Sequence, residues 1–254
     1  MATRRAAAFT LLEVMIVLVI AALLASALGV PLAAQVQMRR VEEARRLLEE
    51  AREALLGFAA AHARLPCPAI ESSRGHEAYA LDGDAVNGRC ANFHSGWLPG
   101  AALGLAPLDA DGFVRDPWQG AGNRVRYAVH GGAINGVAHP LTRANGMQMA
   151  SLAGLGEASH YLYVCTTGAT AGPGGCGTPA NQLTRRAAFV LLSLGANAAA
   201  APPAGSDEAR NVDGDASFVS HEAVEAAGRE FDDIVHWGAI HLLVNRLVVA
   251  GRLP

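Results

Sequence analysis

Lysine is absent from this chain. All 20 basic residues are arginine, and 23 acidic residues set against them give a net charge of −3. With no positive excess and aromatics at only 6%, the chain lacks the basic, aromatic-studded stripe that a nucleic-acid surface requires. No nucleic-acid partner is expected. Catalytic signatures are missing as well: there is no G-x-S-x-G elbow, no H-E-x-x-H pair and no G-x-x-x-x-G-K-[ST] loop. The run Gly172–Gly177 is glycine-rich, yet no Lys-Ser or Lys-Thr follows it to grip phosphate. The nine histidines are scattered, and they read as surface or core residues.

Cysteine is scarce, with Cys67, Cys90, Cys165 and Cys176 as the whole set. None stands in a C-x-x-C pair, which argues against a structural zinc site. Four cysteines permit three connectivities. The economical one joins Cys67 to Cys90 and Cys165 to Cys176, closing loops for which a bridge contributes about 3 kcal/mol. Bridges require an oxidising compartment, so this reading depends on export. Four buried free thiols are the alternative.

What the chain does have is a long apolar run near its start, AFTLLEVMIVLVIAALLASALGV, from Ala8 to Val30. Val14 to Ala34 carries no charge, enough helix to cover the ~30 Å of a bilayer core. Glu13 interrupts the apolar residues around it. A charge at the centre of a spanning helix costs about 2.5–3.5 kcal/mol. A cleaved secretory signal would use Arg4 and Arg5 as its basic region and Ala25-Ser26-Ala27 as its cleavage site. Glu13 opposes that reading, and so does the sequence that follows. Beyond Pro31 the chain continues into a helical pattern in which Val41, Ala44, Leu48, Ala51, Leu55, Phe58 and His62 step by threes and fours along one seam. Pairs such as Glu42 with Arg46 support it on the solvated faces. The simplest expectation is one helix over 9–62, greasy to residue 34 and amphipathic over 35–62, weakened or kinked at Pro31 and stopped by Pro66. Arginines flank both ends of the apolar run, so charge alone does not orient it.

Arg4-Arg5 followed by Ala8-Phe9-Thr10-Leu11-Leu12-Glu13-Val14-Met15-Ile16-Val17 resembles the prepilin cleavage and methylation motif of type IV pilins and type II secretion pseudopilins. The resemblance implies a leader over residues 1–8, a cut between Ala8 and Phe9 by prepilin peptidase, and methylation of the Phe9 amine. Ala8 stands where the family usually has Gly. Glu13 becomes the fifth mature residue, placed to meet the Phe9 amine of a neighbouring subunit during assembly. Implied partners are other pilin or pseudopilin subunits, an inner-membrane assembly platform and the lipid bilayer. The implied location is a single pass in the bacterial inner membrane with a periplasmic domain, then a periplasmic pseudopilus or a cell-surface pilus. Asp116-Pro117-Trp118, Ser193 to Asn197 and Asp232 to Trp237 follow the order seen in major pseudopilins, where the loop between the last two motifs binds calcium. Leu65 to Ala69 and Phe189 to Asn197 also look like longer pilin-like proteins of some proteobacteria.

Residues 63–254 form the expected globular domain. Strand candidates are Arg124–Val129, Tyr161–Thr166, Ala188–Leu194 and Phe231–Trp237, with a terminal helix over Ile240–Ala250 stopped by Gly251. Ala198–Ser206 reads as an exposed loop. Without βα alternation, the expected fold class is α+β, a pilin-like long helix packed on an antiparallel sheet. One stretch suggests a cation. Asn211, Asp213, Asp215 and Ser217 alternate oxygen side chains, Glu222 holds the twelfth position, and Asp233 matches the family's acid after the calcium loop. Ala216 occupies the place where an EF-hand needs Gly, and an Asp-Gly turn explains the spacing equally. Asn211, Asp213, Asp215 and Asp233 are therefore the candidate calcium ligands. The leading functional reading is a structural subunit, minor pilin or pseudopilin, and not an enzyme. A membrane-anchored periplasmic binding protein, adhesin or enzyme is the alternative.

Overall fold

A computed structural model of the chain describes residues 11–118, 123–226 and 229–254, with the side chains of 24–33 outside the description. Two compact units divide at Glu42/Glu43. The first holds the beginning of α1 (Leu11–His62). Its described apolar residues are exposed on every side of the helix, from Leu11 at 83% to Leu23 at 64%. Among the described residues no helix is long and apolar enough to cross a membrane. The side chains over 24–33, Pro31 and its expected kink included, lie outside the described residues.

In the second unit, residues 43–62 of α1 bury Ala44, Leu48, Ala51, Leu55, Leu56 and Ala59. The expected seam instead ran on through Phe58 and His62. Phe58 is half-exposed and His62 exposed, stacked on each other with ring centroids 4.1 Å apart. A strict three-four alternation drifts around a 3.6-residue helix, so the buried face moves from position 58 to 59. Ala63 leaves the helix at φ 55, and Arg252 donates to the carbonyls of Ala60 (2.9 Å) and Ala61 (2.7 Å), which the ending helix leaves without partners.

Among the described residues six strands form one mixed sheet. Its members are β1 (Gly96–Trp97), β2 (Arg126–Val129), β3 (Leu162–Cys165), β4 (Gln182–Ser193), β5 (Ser217–Val219) and β6 (Ile234–Ala239). β4 is the hub, pairing antiparallel with β2, β3 and β6. Side chains alternate across it. Tyr127, Val129, Phe189 and Leu191 pack with Leu48, Leu55 and Leu56 of α1 and with Leu243 and Leu247 of α6 (Ile240–Val249). Ala128, Val190 and Leu192 pack on the other face with Leu162, Val164, Phe218 and Val235.

The all-antiparallel expectation needs correction, because β3 and β5 run parallel. β4 brings the chain back antiparallel to β3, and the segment 194–216, carrying α5 (Asp207–Val212), takes it past β3 so that β5 enters beside β3 in the same direction. β4 also begins six residues before the expected Ala188, since the half-exposed start Gln182–Arg186 lacks an apolar pattern. The Cys67–Cys90 and Cys165–Cys176 bridges are both formed. The first closes a segment that a buried ion pair fastens to the end of α1. Arg64 donates to both Glu77 oxygens at 2.6 and 2.9 Å. Glu77 Oε1 also accepts from the Cys67 N–H (2.9 Å) and the Tyr79 hydroxyl (3.2 Å). Burial, then the Glu77 charge, pushes the Tyr79 phenol up to about 12, so it stays a donor.

Glu77→Ala strands a buried guanidinium and removes the acceptor for two further donors. The expected loss is about 3–5 kcal/mol, read from the urea midpoint of the full chain. Replacing the pair together, Arg64→Met with Glu77→Leu, should recover the part due to the stranded guanidinium but not the part due to the Cys67 N–H and Tyr79 hydroxyl; a Glu77→Ala chain as stable as the parent would show that the pair contributes nothing.

Candidate functional site

Two places among the described residues are candidates for functional chemistry, one in each unit. In the first, Glu13 sits in the opening turn of α1, exposed among exposed Leu12, Val14 and Ile16. An acid there suits the positive end of the helix dipole. Ala8 and Phe9, the expected cleavage pair, lie outside the described residues.

In the second unit three carboxylates converge. Ser206 caps α5, its Oγ accepting from the Ala209 N–H at 3.1 Å, and so winds Asp207–Val212 into helix. That turn points Glu208 inward, where it is buried. Asn197 donates to both Glu208 oxygens (2.9 and 3.0 Å), and the Asp232 N–H donates to one of them (3.1 Å). Asp232 Oδ2 accepts the Ala196 N–H at 2.7 Å, whereas its buried Oδ1 has no hydrogen-bond partner. Asp233 Oδ2 accepts from Asn211 Nδ2 at 2.7 Å. Oxygens of Glu208, Asp232 and Asp233 all lie within 4.8 Å of one another. Burial pushes the Asp233 carboxyl up to about 8, with Glu208 and Asp232 adding repulsion. Burial raises Asp232 too. Beside the acids opens a cavity of about 300 Å³ lined by Asn197, Pro202, Glu208 and Asp233, with Arg126 on its wall. An oxygen-only donor set, crowded charge and one orphaned buried oxygen fit a hard divalent cation such as calcium.

The four candidate calcium ligands are thus divided. Asn211 and Asp233 meet, but Asn211 spends its carbonyl oxygen on the Val219 N–H (2.7 Å) and its amide on Asp233 and the Val219 carbonyl. Asp213 and Asp215 face elsewhere. Asp213 accepts the Asp215 N–H, Asp215 accepts the Ser217 N–H, and Arg210 pairs with Asp213 at 3.2 Å, which makes the turn into β5. Neither belongs to the converging group. Helix α5 takes up Asn211, which breaks the loop alternation that its spacing suggested. Glu208 and Asp232 were missed. Their signals were the Ser206 cap with an acid in the first turn, and the Asp232-Asp233 doublet.

The N-terminal residues carry a signal that comparison with known proteins detects. Residues 3–29 match the prokaryotic N-terminal methylation motif. This is the type IV pilin and pseudopilin signal. The motif supports a type IV pilin-like or pseudopilin protein, processed by prepilin peptidase and assembled with other pilin subunits. It points to a structural subunit rather than an enzyme, anchored in a membrane and then carried in a pilus or pseudopilus. Searches of curated proteins and of solved structures found no match to the chain. The acid cluster therefore rests on its own geometry.

Gly195 sets that geometry. Its φ is +65, and a Cβ there would stand 2.2 Å from Asp232 Oδ1. Gly195→Ala should lower stability by more than about 1 kcal/mol through strain and displacement of Asp232, measured as a fall in the thermal midpoint.

Proposed function

We propose that this chain is a minor pilin or pseudopilin that begins in the bacterial inner membrane and ends in a filament. Prepilin peptidase cuts between Ala8 and Phe9, and the new Phe9 amine is methylated. The apolar first half of α1 then serves as anchor and later as filament core, with unit 43–254 in the periplasm. The observation that carries this reading is the methylation motif over 3–29 with Glu13 inside its apolar run. The exposed apolar side chains of Leu11 to Leu23 support it, since such a surface needs lipid or neighbouring helices to cover it. In the filament Glu13 meets the Phe9 amine of a neighbouring subunit. A buried carboxylate becomes tolerable once an opposite charge pairs with it and hydrogen-bonds to it.

Mass spectrometry of the mature chain should find N-methyl-Phe9 as the first residue. A start at Leu28 would return the chain to ordinary secretion. Glu13→Ala should leave cleavage intact and reduce filament incorporation at least tenfold, scored by immunoblot of sheared filaments. Normal incorporation would remove the pairing role.

For the second site we propose calcium held by Glu208, Asp232 and Asp233. Isothermal titration of chelator-stripped full chain should give one calcium per chain. Asp232→Asn should weaken binding at least tenfold while Asp213→Asn leaves it unchanged. No heat and no rise in melting temperature with calcium would end this reading.

A further inference from the structure

The loop between Cys165 and Cys176 carries four glycines and a proline in ten residues, Thr166 to Gly175. Such a sequence has wide backbone freedom when unfolded and few side chains with which to hold a shape. Its buried apolar cluster is correspondingly small. Cys165, Ala171 and Cys176 compose it, with Tyr163 packed alongside, apart from the two clusters that flank the sheet. Two of its three buried members are the bridge itself.

One side of the bridge is fixed to the sheet. Cys165 ends β3, pairs with Val219 of β5 and accepts the Ser220 N–H at 2.9 Å. Gly172 and Gly175 exchange both backbone hydrogen bonds (3.0 and 2.9 Å), and Thr170 Oγ1 donates to the Cys176 carbonyl at 2.8 Å. The loop reaches α5 at Gly168, whose N–H donates to Asp207 Oδ1 at 2.5 Å. The approach is close: a Cβ on Gly168 would stand 2.8 Å from both Asp207 Oδ1 and Arg210 Cγ.

Asp207 is the first residue of α5, and the next is Glu208, whose inward turn brings it to Asp232 and Asp233. With six residues α5 is too short to be stable alone, so tethers set its position. Asn211 fastens its far end to β5, accepting the Val219 N–H at 2.7 Å and donating to the Val219 carbonyl at 3.1 Å. At the near end Asp207 is held by Gly168 and by His221, whose Nε2 lies 2.9 Å from Oδ2. The loop is thus one of two braces behind the Glu208 end of the helix.

We infer that the Cys165–Cys176 bridge is a maturation gate for the carboxylate trio: closing it braces Gly168 against Asp207 and so turns Glu208 into the site. This inference rests on the calcium reading for its ion but not for its geometry. In the closing step the two thiols give up two protons and two electrons to an external disulfide. That disulfide leaves as two thiols, and the sulfur–sulfur bond forms between Cys165 and Cys176. Both cysteines are then buried, at 0% and 3% exposed, so outside thiolates have little access to reverse the step. Calcium uptake is thereby reserved for chains that have reached an oxidising compartment.

The test compares the oxidised full chain with Cys165→Ala/Cys176→Ala and with Cys67→Ala/Cys90→Ala, each lacking one bridge, by calcium calorimetry. Loss of the first bridge should weaken calcium binding at least tenfold, and loss of the second should leave it within twofold. Gly168→Ala keeps both bridges and should weaken binding at least fivefold by pressing on Asp207. Added to the chain without Cys165–Cys176, it should change nothing further. Hydrogen exchange of the metal-free chains gives a readout independent of calcium. Residues 206–212 should exchange at least tenfold faster without the Cys165–Cys176 bridge, with residues 187–193 of β4 unchanged. Gly168→Ala should reproduce that increase, which keeps the test decisive if the chain without the bridge does not fold. Equal calcium affinity with and without the bridge would overturn the inference. So would multiplying effects of Gly168→Ala and bridge loss, or unchanged exchange at 206–212. If the oxidised parent takes up no calcium, the calcium reading falls, and exchange at 206–212 alone decides whether the bridge braces α5.

Discussion

The backbone pairing of β4 is the constraint on which unit 43–254 depends. Its twelve residues serve three partner strands, and its last seven are buried on both faces. A strand in that position must satisfy every N–H and carbonyl by pairing, because water cannot reach them. That demand fixes where β2, β3 and β6 stop and start. It also fixes where polar chemistry emerges. The carboxylates lie just past Ser193, where the pairing runs out.

Buried charge is treated in two contrasting ways along this frame. Arg64 and Glu77 neutralise each other with paired hydrogen bonds, and Asp116 accepts from the buried Ser193 hydroxyl at 2.9 Å. The Arg64–Glu77 arrangement is closed, with donors matched to acceptors. Glu208, Asp232 and Asp233 are different, since their neighbours supply amide donors while the carboxylates still repel one another. Among the described residues no arginine pairs with this trio as Arg64 pairs with Glu77, and that imbalance is what the calcium proposal rests on. The same contrast separates His139, engaged by a carbonyl, from His130, whose buried Nε2 has no hydrogen-bond partner.

Contiguous features were legible in the sequence and assembled ones were not. The motif around Phe9 and Glu13 is a run of neighbours, and it reads directly. So does α1, whose Ala, Leu, Glu and Arg residues favour helix along the described length. Strand cores at Arg126–Val129 and Leu162–Cys165 showed their apolar runs, but Gln182–Arg186 did not, because half of it faces water. Asn211, Asp213 and Asp215 have loop spacing in the sequence, whereas Ser206 upstream caps α5 and makes the first of them a helical residue. Glu208 and Asp232 join only after the 194–216 connection folds back.

The end of α1 has a mechanical meaning. Arg252 grips the carbonyls of Ala60 and Ala61, and Arg246 of α6 pairs with Glu53 two turns earlier. These contacts lie side by side along the helix rather than one behind another. A pull along α1, of the kind a subunit meets when drawn from a bilayer or stretched in a fibre, therefore loads them together in shear. Peeling would break them singly. Arg246 and Arg252 thus act as a clamp on α1, and the resistance of unit 43–254 to being unravelled from its N-terminal side is set by residues nearly 200 positions further along the chain.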